Sequence, residues 1–111
     1  FTPIFHGQQR AVEIGILHDS DTTLADAMLD HAAALPHRRI DRNEPYGPAD
    51  GVTHSLRLHG VAHGLPNVMI EIRNDLLRTK AEQTVLAREI YKLLAPALVA
   101  LGLSEPETGN A

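Results

Sequence analysis

Cysteine and tryptophan are absent from this 111-residue chain, and its aromatic residues amount to two Phe and two Tyr. Without cysteine there are no disulfides and no thiolate ligands, so any metal would have to be held by His, Asp or Glu. So few aromatics leave no stacking platform for single-stranded nucleic acid, and the formal net charge of −4 points the same way. Arg38, Arg39 and Arg42 form only a small basic cluster, read as a solvated patch, and nucleic acid is not expected as a partner. Long apolar runs are also missing. None reaches the ~20 residues that span a bilayer, and no basic segment leads into an apolar one as a secretory signal would. No membrane association is expected, and a cytoplasmic location is. The chain opens at Phe1 and passes directly into Thr2-Pro3-Ile4-Phe5-His6-Gly7, so it is expected to be a piece of a longer polypeptide.

The length suits one domain, with apolar content typical of a globular protein. Val12, Ile14 and Ile16 alternate and Leu17 extends the run, which predicts a strand from Ala11 to Leu17. A helix follows, capped by Asp21 or Thr22, with Leu24, Ala27, Met28, Ala32 and Leu35 at helical spacing until Pro36. The charged stretch His37–Arg42 is a strand only if it lies near a sheet edge. Asn43 to Gly51 holds two prolines and two glycines and must be loop. A second helix is predicted from Thr53 to His63, stopped by Gly64. A strand around Val68–Ile72 and a long helix over Lys80–Leu101 complete the set, with a kink or break expected near Ala95 because Pro96 removes a backbone donor. Residues 1–103 are read as one domain, and Ser104 to Ala111 has the composition of a disordered tail. Strand and helix alternate three times, which predicts an α/β fold of three layers with a mainly parallel sheet and flanking helices.

Glu71 stands in the middle of the apolar run Val68-Met69-Ile70-Glu71-Ile72. An unpaired carboxylate in such a setting carries a large desolvation penalty and shifts its pKa upward, which is the environment of a general base. The alternative is a Glu on the exposed face of an edge strand, or one paired with Arg73. In a parallel sheet, sites form beyond the carboxyl ends of strands. Three polar segments are expected to converge on one such rim: His18-Asp19-Ser20-Asp21, Asn43-Glu44-Pro45-Tyr46 and Arg73-Asn74-Asp75. His59 and His63 are four apart with His54 before them, but no acidic residue lies between them, and they read as surface or packing histidines. His18 is either exposed or touches substrate, His6 sits near the expected rim, and His31 and His37 read as solvated. The cluster Asp19-Ser20-Asp21 is most simply a helix start.

Phe1-Thr2-Pro3, Arg10, Gly15-Ile16-Leu17-His18-Asp19, Asn43-Glu44-Pro45-Tyr46, Pro48-Ala49-Asp50-Gly51 and Ile70-Glu71-Ile72-Arg73-Asn74-Asp75-Leu76 occur in an order and spacing that resembles the C-terminal half of the N-formylglutamate amidohydrolase family, similar in fold to zinc carboxypeptidases and aspartoacylase. The resemblance covers residue 1 to about 101. It implies a zinc-dependent hydrolase of an N-acyl amino acid, most simply N-formyl-L-glutamate, in amino-acid catabolism. In that pattern Glu71 is the general base on a zinc-bound water. Arg73 and Asn74 are implied partners of the substrate's carboxylates, with Asn43 and Tyr46 hydrogen-bonding from the facing loop and Arg10 a further candidate. The zinc ligands are implied to lie upstream of Phe1, one of them the His of a His-Ser-Phe-Thr-Pro type run, so the chain alone is expected to be inactive. The other function class is a non-catalytic module that keeps the fold and holds a small dicarboxylate through Arg73, Asn43 and Tyr46. An incomplete sheet also predicts self-association, as a homo-oligomer or aggregate.

Overall fold

Three apolar residues within one four-residue strand, Ile14, Ile16 and Leu17 around Gly15, build the fully buried centre of the molecule. The computed structural model describes residues 1–105; the C-terminal part of the expected tail, 106–111, lies outside the described residues. A short hairpin comes first, β1 (Ile4–Phe5) against β2 (Gln8–Gln9). His6 and Gly7 form its turn at φ 51° and 74°, the two left-handed positions that the tightest hairpins require. The elements that follow are β3 (Ile14–Leu17), α1 (Thr23–Asp30), β4 (Ile40–Arg42), α2 (His54–His59), β5 (Met69–Ile72) and α3 (Lys80–Ala100), with short 3-10 turns between them.

The sheet order is β4-β3-β5. β3 and β4 run parallel, with Ile14 opposite Ile40, whereas β3 and β5 run antiparallel, with Ile14 opposite Ile72 and Leu17 opposite Met69. The expectation of a mainly parallel sheet is therefore corrected to a mixed one. The physical reason lies in the connection to β5. A parallel return needs a helix long enough to recross the sheet, and α2 has 6 residues and buries none of them. The expected helix from Thr53 to His63 is instead α2 followed by a 3-10 turn over Val61–His63, closed by left-handed Gly64.

The even-numbered side chains of β3 face the helices. Ile14 and Ile16 join Leu24, Ala25, Met28, Leu35, Leu86, Leu93 and Ala97 in one cluster, flanked by Ile40, Ile70 and Ile72. α1 starts where expected: the Asp21 carboxylate accepts from the Thr23 amide at 3.0 Å, just ahead of the first turn. α3 opens on a reciprocal cap, in which the Thr79 hydroxyl accepts from the Glu82 amide and the Glu82 carboxylate accepts from the Thr79 amide. The helix continues through Pro96 without the expected break.

The basic cluster near β4 is not a solvated patch. Arg38 donates to Glu89 of α3 at 2.7 Å and to Glu13 at 3.0 Å, tying the long helix to the start of β3. Arg42 pairs with Asp26 of α1, and Arg39 with Asp41. His37, read as solvated, contacts Glu89 at 3.2 Å. Among the described residues no helix is long and apolar enough to cross a membrane.

Candidate active site

Alternation along the strands puts Gly15, Leu17, Asp41, Met69 and Glu71 on the face of the sheet turned away from α1 and α3. Glu71 pairs directly opposite Gly15, so the two share that face. A methyl group at Gly15 would overlap the backbone carbonyl of Glu44. The missing side chain is thus what lets the 43–47 loop settle on the strand beside Glu71. Glu71 is half-buried, and the ion pairs of the described residues leave it out, whereas the other carboxylate of this sheet face, Asp41, is taken by Arg39. Arg73, the neighbour that a structural role for Glu71 would need, donates instead to Asp75 at 2.6 and 3.2 Å.

The antiparallel course of β5 corrects the expectation of a single rim. The Arg73 amide donates to the Glu13 carbonyl before β3 begins, while the Asn43 side-chain oxygen accepts from the His18 amide after β3 ends. Five residues of strand separate these contacts, about 16 Å. The residues therefore divide into two groups. Asn43 belongs to the carboxyl end of β3, at φ 48°, a left-handed conformation that asparagine tolerates. Its amide lies 3.3 Å from His18 Nε2. His18 Nδ1 contacts the Asp19 carbonyl at 2.8 Å; that oxygen only accepts, so Nδ1 carries the hydrogen and Nε2 accepts from Asn43. Asp19 in turn accepts from the Thr53 hydroxyl at 2.7 Å and from the Arg57 guanidinium at 3.2 Å. The bonds from Arg57 and Thr53 pull the Asp19 carboxyl down to about 2. This tie, invisible in the sequence because its partners lie far apart along the chain, is what fastens α2 to the sheet.

The second group gathers at the opposite end. Arg10 donates to the Tyr46 hydroxyl at 3.0 Å, and its guanidinium lies 4.4 to 5.4 Å from the ring centres of Phe5, Tyr46 and Phe1. Arg73 donates to the Arg10 carbonyl at 2.7 Å. The structure thus brings Arg10, Tyr46 and Arg73 together, with exposed Asn74 next to them, and leaves Asn43 apart. Hydrogen bonding by Arg73 holds the Asp75 carboxyl below its ordinary value. Phe1 completes this end: its amino group donates to the Ile72 carbonyl at 2.8 Å, and its carbonyl accepts from the Asn74 amide at 2.6 Å. That alternation places Phe1 opposite Arg73, running parallel to β5.

The model of the N-formylglutamate amidohydrolase family matches residues 1–78. The chain belongs to that family. The chain is also similar to a solved structure, that of gene product Atu2144 from Agrobacterium tumefaciens, with 54% identity and a TM-score of 0.89 over 92% of this chain. It spans 40% of the length of that relative. No curated protein matches it. The zinc implied by the resemblance has no ligand set here: among the described residues no group of three or more His, Cys, Asp or Glu is placed to hold a metal ion. His54, His59 and His63 accordingly form no such site.

Proposed function

We propose that this chain is the base-bearing portion of an amidohydrolase that cleaves an N-acyl amino acid, N-formyl-L-glutamate being the simplest substrate, to formate and L-glutamate. Family membership supports the reaction class. The observation that carries the reading is Glu71: a half-buried carboxylate with no ion-pair partner among the described residues, on the sheet face turned away from α1 and α3, beside a loop kept close by Gly15. Asp41 on the same face and Asp75 beyond the strand end are each paired with an arginine. A carboxylate left available in this way takes a proton from the attacking water and returns it to the amine as the C–N bond breaks.

Zinc, when bound in the longer protein, would supply a more acidic water and a polarised carbonyl. Its ligands belong to residues outside this chain. The course of Phe1 supports that assignment: it runs parallel to β5 opposite Arg73, so a strand leading into it in the same register would pass Ile72 and Glu71. The His of a His-Ser-Phe-Thr-Pro run would then share the face of Glu71. Around this centre Tyr46 and Arg10 are proposed to meet the substrate, Arg73 to hold Arg10 and the strand end in place with Asp75, Asn74 to contact substrate from the exposed turn, and Asn43 to shape the loop from its anchor at His18.

The test is formate release from N-formyl-L-glutamate by the full-length parent, with and without chelator, comparing wild type with Glu71→Gln. We expect chelator-sensitive turnover that falls roughly 10²- to 10⁴-fold in the variant, the range of a lost general base. A variant as active as wild type removes Glu71 from the chemistry. A parent that leaves a panel of N-acyl amino acids untouched removes the hydrolase reading and favours a dicarboxylate-binding module.

A further inference from the structure

The end of the molecule where Phe1 meets β5 holds an open cleft of about 510 Å³, bordered by Arg10, Arg73, Arg78 and Asp75, with Pro3, Ile4 and Ala11 supplying apolar surface. Its charges do not balance. Asp75 is satisfied by the paired donors of Arg73 at 2.6 and 3.2 Å, which leaves two further guanidinium groups without a carboxylate among the described residues. Arg10 has only neutral partners, namely the Tyr46 hydroxyl, the Thr2 carbonyl at 3.2 Å and the three aromatic rings. Half-buried among rings, it has given up part of its hydration without gaining an anion. Arg78 borders the cleft from the residue just before the capped start of α3, is exposed, and enters none of the ion pairs. A guanidinium fork matches a carboxylate in shape and charge, and a site with a surplus of such forks over a short apolar wall suits a carboxylate on an aliphatic stem.

We infer that Arg10 and Arg78 form a carboxylate-binding subsite, which takes the side-chain carboxylate of a small acidic substrate while Arg73 and Asp75 hold the cleft's shape. The choice of a short dicarboxylate rests on the amidohydrolase reading; the site itself rests on the cleft and its uncompensated charge. It adds Arg78 to the residues that select substrate and assigns Arg73 to positioning.

The experiment is calorimetric titration of the protein with glutarate, with inorganic phosphate and with pentane-1,5-diol as a neutral molecule of the same length, using wild type, Arg10→Gln and Arg78→Gln. Arg78 is exposed, so its variant keeps the wild-type melting temperature and any loss is a loss of binding. We expect saturable glutarate binding, none of the diol, weaker binding of phosphate, and at least about a tenfold loss of glutarate affinity in each variant, the scale of one charge-assisted hydrogen bond. Glutarate bound equally well by Arg78→Gln and wild type overturns the inference, as does phosphate bound as tightly as glutarate or no glutarate binding at all. Formate release by the full-length parent, set beside its glutarate affinity, separates the two proposals: turnover without glutarate binding overturns the subsite alone, and glutarate binding without turnover overturns the hydrolase reading alone.

Discussion

Glu89 and Glu71 lie on opposite sides of one sheet and are treated in opposite ways. Glu89 reaches from α3 with 5% of its surface exposed and is held by Arg38 and His37. Burial alone would raise its carboxyl, but the hydrogen bonds from Arg38 and His37 outweigh that and hold it below its ordinary value. Glu71 is more open to solvent, has Gly15 for its cross-strand neighbour, and has lost its nearest arginine to Asp75. The first carboxylate fastens a helix to a strand. The second is kept out of such ties, as the proposed role of general base requires.

Mutation should pull this contrast apart. Arg38→Ala leaves Glu89 buried with only His37 for company, and breaking such a pair costs about 3 kcal/mol, the low end of the buried range because Arg38 keeps 15% of its side chain exposed. Urea denaturation checks it, with Glu71→Gln alongside; the Glu71 variant is expected to stay within about 0.5 kcal/mol of wild type. A Glu71 variant that loses as much as Arg38→Ala would make Glu71 a structural acid and erase the contrast. Gly15→Ala comes next, since its methyl group must displace the Glu44 carbonyl; a loss of about 2 kcal/mol is expected, with the amide signals of 43–47 shifting while those of α3 stay put. Thr79→Ala removes the cap of α3 and should cost about 1 kcal/mol without touching the open face.

The smallest effect belongs to acid. Asp19 has a folded-state pKa of about 2, below the ~3.9 of an unfolded aspartate, so its contribution is complete above pH ~4 and is lost as pH falls toward 2. Hydrogen exchange in α2 should therefore accelerate over that interval before the sheet is affected. Exchange that rises in β3 and α2 together would show that the Asp19 tie is not local.

Much of this was legible in the sequence because it is written in local periods. Ile14, Ile16 and Leu17 specify a strand, the stripe through Leu86, Leu93 and Ala97 specifies a covering helix, and the loop from Asn43 to Gly51 announces itself by proline and glycine. The hairpin at His6-Gly7 was legible in principle, since a glycine between short extended pairs is its usual mark, yet two-residue strands are too brief to show alternation. The direction of β5 was hidden because it depends on what α2 fails to do, namely bury an apolar face and carry the chain back across the sheet. Arg38 misled for a related reason: its partner Glu89 is 51 residues away, and an arginine beside other arginines looks solvated until the fold supplies an acid. For the candidate site, the strand setting of Glu71 could be read directly, whereas the split between the Asn43 end and the Arg73 end follows from strand direction and shared its fate.

The position of β3 has a consequence for how the molecule is made. The central strand is synthesised first among the three, and its neighbours pair with it from residues 40–42 and 69–72. Until Ile72 has left the ribosome, one flank of an entirely apolar strand waits without a hydrogen-bonding partner, and the closing contact, Phe1 to Ile72, joins residues 71 positions apart. Contacts that span so much chain form late. A nascent chain arrested before β5 would thus offer that bare flank to any other extended segment, and the vulnerable moment of this fold falls during its own translation.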